Sequence, residues 1–268
     1  MAGIYDVSSF EWNRKWYQED LVEVNEPIRR LLEQYSKVPG SEVIKLVKDI
    51  RERAFATSPY PCIGLFRFTN LTLITHPLYN RIVDLLKSSS TEASYLDIGC
   101  CFGQDLRQLV LDGVRSERLE GLDIEKRLLD LGYELFLDRG TLKANFVISD
   151  ILRGKGKEWK DLMERGFDVI HCSAVFHLFT LDKEIAEAKN IARMMGNIKP
   201  GDYPALMKGS VCYRHDLRTF GEKWKKVGEA SQTRWKVEGT MGLLNIDPNN
   251  TLESENSRRL LFTVTRIE

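Results

Sequence analysis

The sequence lacks an excess of charge of either sign and lacks long apolar runs. Its 268 residues contain 39 Lys and Arg against 39 Asp and Glu. Binding to nucleic-acid phosphates needs clustered positive charge, so a dedicated nucleic-acid binder is disfavoured. The run Lys223, Lys225 and Lys226 is a local basic candidate, which we interpret as a solvated helix face. No apolar run approaches the roughly 20 residues of a membrane span. We therefore expect a partner that is neither a nucleic acid nor a membrane.

Cysteines are few and carry no ligand spacing. There are five: Cys62, Cys100, Cys101, Cys172 and Cys212. None forms a CxxC pair or a Cys/His pattern, so neither a zinc site nor a disulfide framework is indicated, and we predict no metal. Reduced thiols fit an intracellular protein. Residues 1–20 contain no apolar segment typical of a secretory signal, so a cytoplasmic protein is expected.

The first 90 or so residues have a helical pattern. Apolar positions recur at helical spacing after Pro27 and again from Val43 to Ala54. The Pro- and aromatic-rich segment 60–68 is predicted not to be a helix, and a third helix is predicted from Thr75 to about Leu86. We therefore predict an N-terminal helical extension over residues 1–90 and a second domain over residues 91–268.

From Ser94 the pattern changes to alternating strands and helices. Helices are predicted at about 104–112, 125–138, 156–165, 183–195 and 216–228. Strands are predicted at Tyr95–Ile98, Leu119–Leu122, Asn145–Ile148, Phe167–Cys172, Gly209–Tyr213, Trp235–Gly239 and Leu260–Arg266. This alternation favours parallel strands joined by crossover helices. Only a turn-rich segment separates the last two strands, which indicates a final antiparallel pair. The prediction is a doubly wound, Rossmann-like α/β fold.

The segment 95–105 carries the strongest functional signal. Apolar residues lead into Asp97, small residues follow, and a helix is predicted to begin after them. In an open α/β sheet, the turn between the first strand and the first helix binds nucleotide-like ligands. Gly99 and Gly103 let the backbone approach such a ligand, and the helix N-terminus supplies free N–H groups.

Two classes of cofactor use such a turn. A dinucleotide site has the pattern G-x-G-x-x-G, but here Cys101 and Gln104 replace two of the glycines, which disfavours a dehydrogenase. Asp97 would repel a pyrophosphate, whereas it suits the sulfonium and ammonium of S-adenosylmethionine. The turn resembles the D-x-G-x-G-x-G motif of class I methyltransferases. The resemblance implies that this cofactor is bound by Asp97, Gly99, Cys101, Gly103, Gln104 and Asp105.

Two further acids end the next two strands. Asp123 lies 20 residues after Gly103 and could accept both ribose hydroxyls, a spacing shared with NAD sites. Asp150 ends the third strand, where methyltransferases bind the adenine amino group. We assign both acids to the cofactor together with their neighbours Ile124 and Ile151. The alternative is that each Asp caps the helix that follows it.

The turn after the fourth strand argues against nitrogen methylation. Methyltransferases of DNA and of protein amides often carry N/D-P-P-Y/F here, whereas this sequence has Cys172, Ser173, Ala174 and Val175. Ser173 is assigned to the cofactor site. His177 follows on the rim where a substrate should approach. His215, within Arg214-His215-Asp216, follows the fifth strand. Each histidine is a candidate general base or orienting donor, and the alternative is a packed structural histidine.

Beyond the central turn, most of the chain is similar to fungal methyltransferases of meroterpenoid and related secondary-metabolite pathways. The similar segments are 60–64, 67–68, 76–79, 96–107, 132–136, 176–179 and 214–216. The resemblance implies a class I methyltransferase fold. Such a fold has a seven-stranded sheet, mostly parallel, with a final antiparallel strand. It also implies methyl transfer from S-adenosylmethionine to an oxygen of a terpenoid or polyketide intermediate.

Several questions stay open from the sequence. A carboxylate acceptor is ionised at pH 7 and needs no base, whereas a hydroxyl acceptor would need one histidine as base. The alternative function is a methyltransferase fold that catalyses a cyclisation or isomerisation, or that acts as a binding module. We expect Tyr60, Arg67 and Phe68 to belong to a lid near the substrate, although Arg67 could equally form a surface ion pair. The neutral charge and apolar N-terminal helices allow a homodimer without requiring one.

Overall fold

The computed structural model describes residues 16–179, 181–194, 206–212, 217–243 and 258–267. The chain divides into two compact units. The first comprises residues 1–92 and 100–148, and the second comprises residues 93–99 and 149–268. Each unit is therefore built from two separate stretches of sequence. Whether residues 1–90 act as a lid stays a prediction.

The first unit combines the N-terminal helices with two parallel strands. Strand β1 (Tyr95–Ile98) belongs to the second unit, whereas β2 (Leu119–Asp123) and β3 (Asn145–Ile148) pair in parallel in the first, with Asp123 opposite Ile148. Its helices are α1 (Glu26–Arg30), α2 (Val43–Phe55), α3 (Pro61–Gly64), α4 (Tyr79–Lys87), α5 (Gln104–Leu111) and α6 (Lys126–Phe136). A π-helical turn, Leu31–Tyr35, continues α1, and a 3-10 turn, Arg67–Thr69, follows α3.

Local sequence explains how the N-terminal helices begin. The side chain of Asn25 accepts a hydrogen bond from the Ile28 amide at 3.2 Å, which caps α1. Pro27 occupies the first turn of α1, and Pro61 begins α3, where a missing N–H group costs nothing. The prediction that segment 60–68 contains no helix was therefore wrong. Pro61, taken as a helix breaker, instead starts one.

One hydrophobic core joins the N-terminal helices to α6. Leu31, Leu32, Val47 and Ile50 are completely buried in it. The same cluster contains Phe102 from the turn before α5, together with Leu128, Leu131, Leu135 and Phe136. Each such side chain contributes about 1.5–3 kcal/mol by leaving water. The N-terminal helices are therefore part of the structural core of the first unit.

The second unit contains a mixed sheet. Besides β1, its strands are β4 (Val169–Cys172), β5 (Leu206–Cys212), β6 (Trp235–Leu243) and β7 (Arg258–Arg266). Strand β4 pairs in parallel with β1 and β5, whereas β7 lies antiparallel between β5 and β6. Helices α7 (Gly156–Arg165), α8 (Leu181–Met194) and α9 (Leu217–Ser231) accompany these strands.

The prediction of an α/β fold with parallel strands and a final antiparallel pair is confirmed within these units. The chain forms β1 and β3 at the predicted residues, and β6 extends four residues further than predicted. Lys225 and Lys226 are exposed on α9, as predicted, but Lys223 is buried against the rings of Phe176 and Phe220. Within the described ranges, the structure contains no helix with both the length and the apolar character needed to cross a bilayer.

Candidate functional site

The turn before α5 has an unusual backbone. We call residues 100–103 the glycine turn. Cys101 has a φ of 55° and Gly103 a φ of 68°, both in the left-handed region. The amide of Gly103 donates to the Cys100 carbonyl at 2.7 Å, which closes the turn. Gly103 then serves as the N-cap of α5. The turn therefore presents the first backbone N–H groups of α5, a geometry that suits a polar or anionic ligand group.

Asp123, at the end of β2, holds this turn from the neighbouring strand. One carboxylate oxygen accepts the Cys101 amide at 2.8 Å, and the other accepts the Glu125 amide at 2.9 Å. The N-cap residue of α6 is Glu125, whose side chain accepts the Arg127 amide at 3.2 Å, so Asp123 does not cap that helix. Each carboxylate oxygen can accept more than one hydrogen bond, so Asp123 can also accept hydrogen bonds from a ligand. The next residue, Ile124, is apolar and 57% exposed.

Helix α6 packs closely against the glycine turn. A Cβ atom added at Gly132 would lie 2.3 Å from the Phe102 carbonyl oxygen and 3.0 Å from its carbonyl carbon. Only a glycine allows the helix to approach the turn this closely. The sequence segment 132–136, part of the family resemblance, therefore has a packing function next to the turn.

Arg107, which the sequence pattern does not single out as a site residue, supports the turn from α5. Its guanidinium is fully buried and donates to the carbonyls of Phe102 at 2.7 Å and Gly103 at 3.2 Å. It also forms a two-bond ion pair with Asp138, at 2.7 and 2.9 Å. The hydroxyl of Tyr35 donates to Asp138 at 2.8 Å. These partners lie 31 and 103 residues apart along the chain, so no sequence spacing could reveal them.

Two predicted cofactor residues, Gln104 and Asp105, follow the glycine turn in the first turn of α5. The carboxylate of Asp105 is buried and accepts hydrogen bonds from the Leu73 amide at 3.1 Å and the Thr72 hydroxyl at 3.3 Å. Asp105 thus anchors the segment before α4. Among the described residues, the amide oxygen of Gln104 is buried and has no hydrogen-bond partner. A buried acceptor without a partner is costly, so a ligand donor would satisfy it.

The predicted lid residues lie in the same unit as Asp123. Burial raises the pKa of Tyr60, and the nearby carboxylates of Glu125 and Asp123 raise it further. Desolvation, together with the negative charge of Asp123, raises the pKa of the Cys62 thiol to about 11, against a smaller opposing effect of Arg67. The negative charge of Asp123 therefore acts on the segment that carries Tyr60 and Arg67.

Phe68 has a different environment from the other two predicted lid residues, Tyr60 and Arg67. It is only 3% exposed and packs edge-to-face on Phe102, with ring centroids 4.8 Å apart. It supports the glycine turn from beneath, a packing role that the sequence did not indicate. Arg51 holds the same segment, because its buried guanidinium donates to the carbonyls of Gln18 and Gly64 and stacks 4.2 Å from the centroid of the Phe66 ring.

In the second unit, Asp97 has a buried partner. The two residues face each other in the β1–β4 register, and Nδ1 of His171 lies 2.9 Å from Oδ1 of Asp97. Both side chains are buried. This contact places the imidazole beside the Asp97 carboxylate, and finding it requires the strand register. Gly99, at the end of β1, has a φ of 69°, and a Cβ there would lie 2.5 Å from a methyl group of Val175.

Asp150 and its neighbours also lie in the second unit. The Asp150 carboxylate accepts the Leu152 amide at 2.8 Å in the turn after β3, whereas the N-cap residue of α7 is Lys155, so Asp150 does not cap that helix. Ile151 is buried, and its carbonyl accepts the Asn190 side chain at 2.7 Å. Ser173 is half-buried just after β4. Cofactor binding by these three residues stays a prediction.

The two histidine candidates differ in what the structure describes. The backbone of His177 lies in a 3-10 turn, Phe176–Leu178, which follows β4. His215, Arg214 and Asp216 lie outside the described residues. Catalytic roles for His177 and His215 stay predictions. The buried Lys223 of α9 lies 3.7 Å from the centroid of the Phe176 ring, one residue from His177 in sequence. The sequence pattern of α9 did not predict this burial.

Comparison with known proteins identifies the family. Residues 16–69 match the family model described as the meroterpenoid methyltransferase N-terminal domain. The O-methyltransferase phiE of a fungal species is 37% identical over 83% of this chain and 78% of its own. The O-methyltransferase atr3 of Stereocaulon alpinum is 34% identical over 94% and 76%. The asnovolin E/chermesin D methyltransferase nvfJ of Aspergillus novofumigatus is 36% identical over 80% and 81%. The chain therefore belongs to the family of fungal secondary-metabolite methyltransferases of the meroterpenoid type.

Proposed function

We propose that this protein is an S-adenosylmethionine-dependent O-methyltransferase that acts on a small secondary metabolite. The observation that carries the proposal is the pairing of the left-handed glycine turn with Asp123, which accepts the Cys101 amide at 2.8 Å. The turn brings backbone N–H groups and a carboxylate together at the end of a strand. That combination suits a ligand with both hydroxyl and charged groups.

The residues present fit this cofactor. In our proposal Asp123 accepts the ribose hydroxyls, and the exposed side chain of Ile124 lies against the adenine. The unpartnered oxygen of Gln104 accepts a hydrogen bond from the cofactor ammonium. Asp97, beside His171, supplies negative charge for the same group, and Gly99, Cys101 and Gly103 allow close approach of the backbone. The proposed set also includes Asp150, Ile151 and Ser173. The buried Asp105 supports it by holding the segment before α4.

When bound, S-adenosylmethionine supplies an electrophilic methyl group on a sulfonium. Because that leaving group is already good, the protein needs mainly to align the acceptor and exclude water. We propose that Tyr60 and Arg67 contribute to this exclusion, since their segment lies near Asp123. For a hydroxyl acceptor, His177 or His215 takes the proton. For a carboxylate acceptor, which is ionised at pH 7, they only orient it.

The acceptor class follows from the relatives. The names of phiE and atr3 specify O-methylation, nvfJ is named for asnovolin E and chermesin D, and the matching family model is described as meroterpenoid. We propose an oxygen of a terpenoid or polyketide acceptor for this chain. We also infer that all seven strands belong to one sheet of the class I methyltransferase type. The apolar faces of the N-terminal helices are used in the core of the first unit, so they no longer favour a homodimer. A cytoplasmic location stays a prediction.

Calorimetric titration with S-adenosylmethionine tests the proposal. We expect micromolar binding by the wild type and at least about a tenfold loss in Asp123→Ala, because a charged acceptor contributes about 1.5–3 kcal/mol. Asp130→Ala is the matched control, since Asp130 pairs with Lys126 and Arg139 on the surface of α6. Equal binding by Asp123→Ala and the wild type would contradict the site. Binding without methyl transfer to any terpenoid or polyketide acceptor, but with isomerised product, would instead establish the alternative function.

A further inference from the structure

We propose that Tyr35, Asp138 and Arg107 set the conformation of the glycine turn, and thereby couple the N-terminal helices to cofactor affinity. We call these three residues the loop network. The inference rests on the proposed function, because the turn is taken as the cofactor site. The members are positioning residues, since they act on the turn through its carbonyl groups rather than on the reacting atoms.

Arg107 is the member that contacts the turn. Its fully buried guanidinium donates to two successive carbonyls, those of Phe102 and Gly103, at 2.7 and 3.2 Å. Cys101 and Gly103 on either side of Phe102 are in the left-handed region. Non-glycine residues adopt that region only at a cost in energy, so the surrounding structure must hold Cys101 there. The two hydrogen bonds from Arg107 act at the right place to do so.

Asp138 fixes the position of the guanidinium. Both of its oxygens accept from Arg107, at 2.7 and 2.9 Å, and the pair is almost completely buried. Buried ion pairs often add little to stability compared with apolar residues of the same volume. Apolar residues could not donate to the Phe102 and Gly103 carbonyls, however. The ion pair is therefore best explained by the directed hydrogen bonds that it makes available to the turn.

Tyr35 links the network to the N-terminal helices. Its hydroxyl, at the end of the π-helical turn, donates to Asp138 at 2.8 Å. Burial raises the pKa of Tyr35 well above its usual value, and the hydrogen bond to Asp138 raises it further. The phenol thus stays protonated and remains a donor at physiological pH. Loss of this bond would remove one restraint on the Asp138 carboxylate, so the Arg107 guanidinium could shift and the turn would loosen.

The first unit offers a matched control. The hydroxyl of Tyr79 donates to Asp112, just beyond the C-terminal end of α5, which is the end away from the turn. Tyr35→Phe removes a hydroxyl that donates to the buried Asp138, and Tyr79→Phe removes one that donates to the half-buried Asp112. Only the first lies in the loop network. A difference between the two variants therefore reports on the turn rather than on general loss of stability.

Two measurements test the inference. For titration with S-adenosylhomocysteine, we expect Tyr35→Phe to raise the Kd roughly 3- to 10-fold, which is less than the full effect of a hydrogen bond to a charged group because Tyr35 acts on the cofactor only through the turn. Tyr79→Phe should stay within about twofold of the wild type. In hydrogen–deuterium exchange of the free proteins, peptides spanning residues 100–105 should exchange faster in Tyr35→Phe than in Tyr79→Phe. Circular dichroism checks that both variants are folded.

The outcomes separate the two proposals. If the wild type does not bind S-adenosylhomocysteine, the proposed function fails, while exchange in the turn still decides whether the loop network acts. If the wild type binds and both variants match each other in Kd and in exchange, the loop network has no positioning role. Faster exchange in Tyr35→Phe with an unchanged Kd would overturn the claimed coupling to cofactor affinity.

Discussion

Gly132→Ala should disturb the glycine turn through backbone contact alone. The added Cβ would lie 2.3 Å from the Phe102 carbonyl oxygen and 3.1 Å from its Cα. Neither atom belongs to a flexible side chain, so α6 or the turn must shift. Overpacking of this kind costs about 1–3 kcal/mol. Alanine is favoured over glycine in a helix by about 0.5–1 kcal/mol, which offsets part of the cost. We expect a net loss of about 1–2 kcal/mol in the free energy of unfolding and weaker cofactor binding.

Urea unfolding and calorimetric titration measure the two effects. Gly221→Ala in α9 is the control, because its added Cβ would meet no atom within 4 Å. That variant should gain about 0.5–1 kcal/mol from helix propensity and bind S-adenosylhomocysteine like the wild type. If Gly132→Ala were as stable as Gly221→Ala, with an unchanged Kd, the close approach of α6 to the turn would have no energetic importance, and our account of segment 132–136 would be refuted.

Three further predictions concern side chains. His177→Ala should lower the rate of methyl transfer about 10²–10⁴-fold for a hydroxyl acceptor and much less for a carboxylate acceptor; near-wild-type turnover with both would remove His177 from the catalytic residues. Cys62 is exposed, so iodoacetamide can reach it, and desolvation together with the Asp123 charge raises the pKa of its thiol. Its alkylation, followed by mass spectrometry, should therefore be slow at pH 7.5 and still accelerate above pH 9; a plateau at pH 9 would contradict this. For Asp112, burial opposes ionisation, but hydrogen bonds from Tyr79, Gln108 and Arg30 dominate and lower its pKa. The ionised Asp112 carboxylate therefore stabilises the folded state above about pH 4. This stabilisation is lost as the pH falls below about 3.9, the pKa of Asp in the unfolded chain, and through the lower pKa of the folded state. Asp112→Asn should flatten the acid side of the stability profile, and an unchanged profile would show that this carboxylate does not contribute.

The sequence predicted the strand and helix pattern well because periodicity reports directly on burial. Strands β1 and β3 agree at both ends, and helix α7 agrees as well. Local conformation was harder to predict. Pro61 can break a helix or begin one, and the choice depends on tertiary contacts such as the Arg51 hydrogen bond to the Gly64 carbonyl. The π-helical turn at Leu31–Tyr35 leaves no clear mark in the residue pattern.

The part of the candidate site that lies close together in sequence could be predicted from the sequence. The glycine turn and Asp123 were found from spacing, and the structure joins them by a hydrogen bond. Residues that support the site were missed because their partners are distant in sequence. His171 meets Asp97 through strand register, and Arg107 meets Asp138 across 31 residues. The capping alternative was wrong at both acids. Asp123 and Asp150 accept backbone amides in the turns after their strands, but Glu125 and Lys155 are the N-cap residues of α6 and α7.

The π-helical turn also bears on insertions and deletions. Its hydrogen bonds close over five residues, as in the bond from the Ser36 amide to the Leu31 carbonyl, so the turn holds one residue more than an α-helical turn of the same rise. Removing a single residue from Leu31–Tyr35 would restore an ordinary α-helical turn, and the residues on either side would keep their orientation. Removing one residue from a regular helix such as α2 would instead rotate all downstream residues of that helix by about 100°. A change of one residue in length is therefore tolerated better in this turn than in the regular helices.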